Sequence, residues 1–469
     1  MRTVPTPTVI FMIFNTVMQE QTLDSWNVVV AIALVFVSAF IIWFRQSRTE
    51  DKKDDSEDDS KQDVGTNKSS KRSQKSSTSK QLKKAFNFTH DLLHTSLKGH
   101  AGNVLGVHFS INGKYFATAA ADRTVRLWSV KDFGSGNKCV HVNVELDHAK
   151  CIQFSPDSRA FVVGLARGNN VRIFRLGKKD DGTTMCNPLE NDFKDDFKQE
   201  LLNIGVGATS SGGSFVMTAY KDTTIIVRDI KGEVLNTINT NLGTNNYACV
   251  SPCGRYVGAC GWTPDVKVWE VRFTKTGTYK DVVRAFELKG HKSSVWSFAF
   301  NNDSTRMITV SKKGMWRFYD TDIEYEKGQE PCLLKEGLFN VGDISPADNF
   351  CFTSLSYDGN VAAIASLNSF CVLSTRTGDI DQQFKEVHSE LITALAFDIG
   401  GKFVISAGDR HVRVFHNILG YKESIEVLRE TLRKHPPSSA TRERLETQIK
   451  LKQSELDKIL LTTQEKSDS

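Results

Sequence analysis

The sequence predicts an all-β protein, a seven-bladed β-propeller with an N-terminal transmembrane helix before it and a C-terminal helical tail after it. Three observations lead there. A unit returns about every 40 to 50 residues, the period of a propeller blade. Inside each unit, runs of five or six residues alternate apolar and polar between Ser/Asn/Asp-Gly turns, which reads as small antiparallel sheets. One stretch near the start, Trp26 to Phe44, is uncharged throughout. The 469 residues, 39% of them hydrophobic, suffice for a large core, and 29 Phe with 32 Gly suit a β protein rich in turns.

Residues 1–25 read as a short flank ahead of the membrane. The span itself, 26–44, reads WNVVVAIALVFVSAFIIWF, about 28 Å as a helix, which matches the hydrocarbon thickness of a bilayer. Trp26 and Trp43 sit at its ends, where interfacial tryptophans belong. A cleaved signal peptide would be shorter and end in small residues, and a core helix would not be followed by a long polar stretch. Upstream only Arg2 is basic, whereas Arg45, Arg48, Lys52 and Lys53 follow at once, so the positive-inside rule places the C-terminal bulk in the cytosol. The sequons at Asn67, Asn87 and Asn302 are glycosylation acceptors only in the opposite orientation.

Residues 45–85 form a linker with an acidic half, Glu50 to Asp63, and a basic, serine-rich half, Lys68 to Lys84. Neither half has the apolar residues to offset the entropy of ordering, so disorder is expected, with a reach of roughly 35 Å. The basic half reads either as a solvated spacer or as a contact for anionic headgroups or RNA phosphate.

The propeller is expected over 86–417. Its clearest unit is Leu97 to Trp128, LKGHAGNVLGVHFSINGKYFATAAADRTVRLW, and the next clearest is Leu288 to Tyr319. Seven three-strand groups follow from inner runs near 104–109, 149–154, 202–206, 247–251, 295–300, 351–356 and 392–397. Beyond the ring, 418–469 is a helical tail. Ile425, Leu428 and Leu432 share one face of a first helix, and Pro436-Pro437 ends it. Ser439 is placed to cap a second helix carrying Leu445, Ile449, Leu456 and Leu460. The tail packs on the propeller's side or docks a partner; the pattern fits both.

The units resemble the WD40 family. That resemblance implies that His100, Thr118, Asp122 and Trp128 form the family's hydrogen-bonded tetrad, a structural device tying the entry loop to the inner strands. Later units keep fragments: Phe174; Asp222 with Arg228; Asp265 with Trp269; His291 and Thr309, with Lys313 and Tyr319 replacing Asp and Trp, a blade expected to be held mainly by packing; and His388, Asp409 and Phe415. It also implies that Asp91 to Leu97 pairs with the last blade and closes the ring.

No phosphate loop, GxSxG, HExxH or dinucleotide fingerprint is present, so no catalytic residue, cofactor or metal site is assigned. The nine cysteines are scattered through apolar runs, as reduced thiols in a cytosolic domain would be. A net charge of +5 is too small to imply nucleic-acid binding without clustering. Clustering arises in the turns between second and third strands, which in a propeller emerge on one face. They carry Arg123, Arg167, Lys221, Lys312 with Lys313, and Arg410, and the fourth blade adds Trp262 as an aromatic anchor. A face for an acidic or phosphorylated partner is one reading; the general preference of turns for polar residues is the other.

The order of anchor, charged linker, degenerate repeats and helical tail is similar to the transducin beta-like protein 2 family. So are the local strings VELDHA, VSPCGR, TPDVKVWEV, VRAFELKGH and FAFNNDS. This resemblance implies a non-enzymatic scaffold in the endoplasmic-reticulum membrane, with a luminal N-terminus and a cytosolic propeller. Its implied protein partner is the stress kinase that phosphorylates translation initiation factor two, with contact to RNA or the ribosome. The alternatives are a membrane-anchored exchange factor for a small GTPase and an RNA- or ribosome-binding adaptor using residues 68–84.

Overall fold

A computed structural model describes residues 88–467, apart from 169, 181–182, 190–192, 194–198, 313, 340–349, 435 and 437–439. The expected N-terminal flank, spanning helix and linker therefore lie outside the described residues, as does Lys313. From Leu93 to His416 the chain folds into seven four-stranded antiparallel sheets. Blade 1, for example, runs Val104–Phe109, Tyr115–Ala120, Thr124–Ser129 and Cys139–Asn143 from the centre outward. Each blade's innermost strand lies against the innermost strand of the next, and the first lies against the last, so the sheets form a closed ring.

Two features of the sequence explain this arrangement. Second and third strands such as YFATAA and TVRLW are apolar on both faces because each blade is sandwiched between two neighbours. The apolar clusters accordingly cross blade boundaries: Ala117, Val125 and Leu127 of blade 1 pack with Phe154, Phe161 and Phe174 of blade 2. The fourth strands, beyond the three expected per blade, are the outermost. They face solvent along one edge and show little apolar periodicity, as Cys332–Leu338, exposed almost throughout, makes plain.

Blade 7 takes its outer strand, Leu93–Leu97, from the start of the propeller. It pairs antiparallel with Val412–His416, with Leu93 opposite Phe415 and Leu97 opposite Val412. Joining the two ends of the ring in one sheet removes the open edge a linear array would leave.

Around the channel, side chains tie inner strands together at six of the seven junctions between blades. Phe154 N donates to His108 Nδ1 (3.2 Å), and Lys150 Nζ donates to Leu201 O (2.9 Å). Asn203 donates to Ala248 O (2.8 Å), Asn246 to Val295 O (2.8 Å) and Ser297 to Cys351 O (2.8 Å). Thr393 Oγ1 closes the girdle onto Val104 O at 2.7 Å. His108, Lys150, Asn203, Asn246, Ser297 and Thr393 are thus engaged in joining blades.

The seam between blades 6 and 7 is bridged from outside by the tail. Helix α1 (Ile418–Arg433) starts at Asn417, whose side chain accepts from Gly420 N, and helix α2 (Ala440–Ser467) folds back along it. Ile418, Leu419, Tyr421, Ile425 and Leu456 enter one core with Phe370 and Phe384 of blade 6 and Phe415 of blade 7. Buried Glu423 accepts from Ser374 Oγ (2.8 Å) and Arg376 Nε (3.0 Å) of blade 6, while Lys402 of blade 7 pairs with Glu455 of α2 at 3.1 Å. The tail thus packs on the propeller. Leu460, expected inward, is exposed, and Ile459 takes the packed position; Ser439 lies outside the described residues. Among the described residues no helix is long and apolar enough to cross a membrane.

Candidate functional site

The chain runs down each inner strand, up the second, down the third and up the outer one. Entry loops and the turns between second and third strands therefore share one face, here the upper face. Whatever holds those loops holds the surface they present.

In blade 1 the four tetrad residues meet. His100 Nε2 lies 2.7 Å from Thr118 Oγ1, to which Trp128 Nε1 donates at 3.0 Å, and His100 Nδ1 lies 3.1 Å from Asp122 Oδ2. Asp122 also accepts from Ala101 N (2.8 Å) and Thr124 Oγ1 (2.7 Å). Burial opposes its charge, but these hydrogen bonds outweigh it and hold the carboxyl below its ordinary range. Burial likewise keeps His100 neutral to lower pH.

The other blades solve the same problem differently. In blade 7, His388 Nε2 meets Ser406 Oγ at 2.9 Å, and Nδ1 faces both Asp409 Oδ1 (3.2 Å) and Arg413. Ser406, His388 and Asp409 thus have the connectivity of a hydrolytic triad. Ser406 and His388 are fully buried, however, so no substrate reaches the hydroxyl and the cluster joins loop to strand. Blade 2 reverses the polarity. Asp147 stands in the entry loop and its carboxylate accepts from His148 N (2.7 Å) and, across in the turn, from Arg167 N (2.7 Å) and Gly168 N (3.1 Å). In blade 3, Asp222 accepts from Thr224 N (2.8 Å) and its hydroxyl (3.0 Å), and Arg228 is buried. Blade 5 is not held by packing alone: His291 meets Thr309 at 2.7 Å, and Tyr319 Oη donates to the entry-loop carbonyl of Lys289 at 2.8 Å.

A second repeating device escaped the sequence reading. Two residues before the closing aromatic of the third strand stands a cation: Arg126, Arg172, Lys267, Arg317 and Arg413. Four of these donate to entry-loop carbonyls. Arg126 reaches Gly99 O (2.7 Å), Arg172 reaches Glu145 O (3.5 Å), Lys267 reaches Thr240 O (2.9 Å), and Arg317 reaches Lys289 O (3.4 Å). The guanidiniums lie so close over the loop that a Cβ on Gly99 would stand 2.7 Å from Arg126 Nη1, and one on Gly290 would overlap Arg317. The Gly of each Gly-His pair thus leaves room for the arginine beneath it, and a side chain there would have to displace the guanidinium. The signal was present as an Arg/Lys at constant register, visible only once the strands are aligned.

On the upper face Arg123, Arg167, Lys221 and Arg410 are exposed and Lys312 is half-buried. Arg123, Arg167 and Arg410 have no ion-pair partner among the described residues, whereas Lys221 pairs with Glu200 at 3.3 Å. Trp262 is 69% exposed and stands against Gly243 in the neighbouring entry loop. Two further exposed apolar side chains share this face and were not anticipated, Leu146 (90%) and Leu391 (60%).

A family model described as "WD domain, G-beta repeat" matches residues 91–129, 283–320 and 382–416, which are blades 1, 5 and 7. Those three keep a His on the second-strand hydroxyl. Transducin beta-like protein 2 of Mus musculus is 48% identical over 371 residues, covering 79% of this chain and 82% of that protein. The protein of the same name from Homo sapiens is 48% identical over 372 residues, covering 79% and 81%. Ribosome biogenesis protein ERB1 of Candida albicans is 28% identical over 82 residues, 17% of this chain. A closed seven-bladed ring of such repeats, and near-half identity across four-fifths of both chains, establish that this chain belongs to the transducin beta-like protein 2 family.

Proposed function

We propose that this protein is a non-enzymatic scaffold that holds its propeller at the cytosolic side of the endoplasmic-reticulum membrane and offers the upper face to protein partners. The observation that carries the proposal is that face: Arg123, Arg167 and Arg410 lie exposed and without an ion-pair partner among the described residues, on loops fixed by hydrogen bonds, and exposed Trp262 stands on the same face in blade 4. A rigid ring with free, cationic loops is suited to capture acidic or phosphorylated protein surfaces. The anchor at 26–44 is supported by its length, lack of charge and terminal tryptophans. The organelle and the initiation-factor-two kinase as partner are supported by the family resemblance alone.

Proximity labelling from the C-terminus in stressed and unstressed cells tests the partner, using the intact chain and a variant with Arg123→Glu, Lys313→Glu and Arg410→Glu. The expected result is labelling of the kinase that rises under stress and is lost in the variant. Unchanged labelling in the variant would reject the face. N-glycosylation at Asn67, Asn87 or Asn302 would reject the topology.

A further inference from the structure

The upper edge where blades 1 and 2 meet is built around one leucine. Leu146 projects 90% exposed from the entry loop, and its backbone sits at φ 68°, in the left-handed region that a branched side chain rarely adopts. Such a conformation persists only where the surroundings impose it. Asp147, the next residue, anchors the loop through its three amide hydrogen bonds. On the other side Val144 N donates to Arg123 O at 2.9 Å, and Arg172 holds Glu145 O.

These bonds fix more than the loop. Arg167 takes its backbone position from Asp147, and Arg123, itself at φ 63°, takes its position from the bond to Val144. Two exposed guanidiniums unpaired among the described residues are thus tied by the backbone to the loop that carries the leucine. Solvation alone accounts for the arginines. It does not account for a leucine in a costly backbone conformation with almost its whole surface in water.

Resting on the reading of the upper face as a partner surface, we propose that Arg123, Leu146 and Arg167 form one docking element for an acidic protein segment. The segment has a large apolar residue with carboxylates on either side of it. Each guanidinium takes a carboxylate in a two-pronged contact, and the apolar residue covers Leu146. An exposed leucine gains nothing from a phosphate backbone and offers no π-face for a base, which favours protein over RNA. Residues that become fully desolvated at the centre of an interface carry most of its energy, and a preformed leucine loses little entropy on docking.

The test is binding of the detergent-solubilised full-length chain to synthetic twelve-residue peptides, read by fluorescence anisotropy. One set alternates Glu with a single central Leu or Phe, a charge-matched set has Ser at the centre, and poly(U) RNA of similar charge is the third probe. The expected result is preference for the apolar-centred peptides, weakened at least tenfold by Leu146→Ser and by Arg123→Glu with Arg167→Glu. Leu146→Gly should weaken binding equally while leaving Tm unchanged or raised, since glycine accepts this φ freely. Binding that ignores Leu146→Ser, or that prefers Ser-centred peptides or RNA, overturns the proposal. If Trp262→Ala with Arg410→Glu abolishes binding while the Leu146 variants do not, the docking element falls and the upper-face reading stands. If no variant of either set matters, both fall.

Discussion

Replacing Glu423 tests the idea that the tail clamps the seam between blades 6 and 7. The carboxylate is buried and accepts from Ser374 Oγ at 2.8 Å and Arg376 Nε at 3.0 Å. A hydrogen bond to a charged group contributes about 1.5–3 kcal/mol. Arg376 is half-exposed, so solvent reduces its share to about 1 kcal/mol or less. Glu423→Ala removes both bonds and leaves Ser374 without its acceptor, for a cost of about 3 kcal/mol. Glu423→Gln keeps the shape and one acceptor oxygen, for a cost of about 1 kcal/mol. Because the bonds join α1 to one blade, the loss should appear as local opening. Native-state hydrogen exchange of the amides in 418–433 should therefore quicken about a hundredfold in the alanine variant and several-fold in the glutamine variant. Amides of blades 2 to 4 should be little affected. An α1 that exchanges at the parent rate, or acceleration spread evenly over the ring, would refute the clamp.

Trp128→Phe removes the donor to Thr118 and leaves a buried site short of one ring, and should lower the stability measured by urea unfolding by about 2–3 kcal/mol. Gly290→Ala puts a Cβ into Arg317 at φ 112° and should cost about 1–3 kcal/mol, whereas Gly136→Ala, with open space around it, should pay only for its φ of 107° and cost less in the same assay. Burial, with the charge of Arg317 second, pushes His291 down to about 4 from an ordinary value of 6.5. The unfolded chain then takes up the proton first, so stability present above pH 6.5 is lost as pH falls towards 4, by up to about 3 kcal/mol. His291→Gln should flatten that dependence in unfolding curves taken at pH 7.5, 5.5 and 4.5; an unchanged slope would count against it.

The ring was legible in the sequence because its inner strands obey strict periodicity and because blade 1 keeps every residue of the tetrad. The outer strands were not legible, since a strand wet along one edge needs no apolar alternation. Blade 2's solution was hidden for another reason: Asp147 performs from the entry loop what Asp122 performs from the turn, and only the fold shows the two to be opposite ends of one contact. Leu146 lay in plain view in VELDHA. Its left-handed backbone conformation is one that leucine rarely adopts, so no propensity argument points to it. Of the face residues, the cations and Trp262 could be placed from topology. Which of the cations stand unpaired depends on distant partners such as Glu200.

The closing pair of Leu93–Leu97 with Val412–His416 also has consequences during synthesis. The two partners are separated by roughly 320 residues of chain. At about 5–20 residues per second, the first strand leaves the ribosome tens of seconds before its mate exists. Six blades can assemble in that interval, but the seventh must wait with its outer member dangling. A nascent chain of this protein is therefore a client for factors that shield a bare strand, and stop codons shortly before Val412 should yield a product handed to degradation although nearly nine-tenths of the polypeptide has been made.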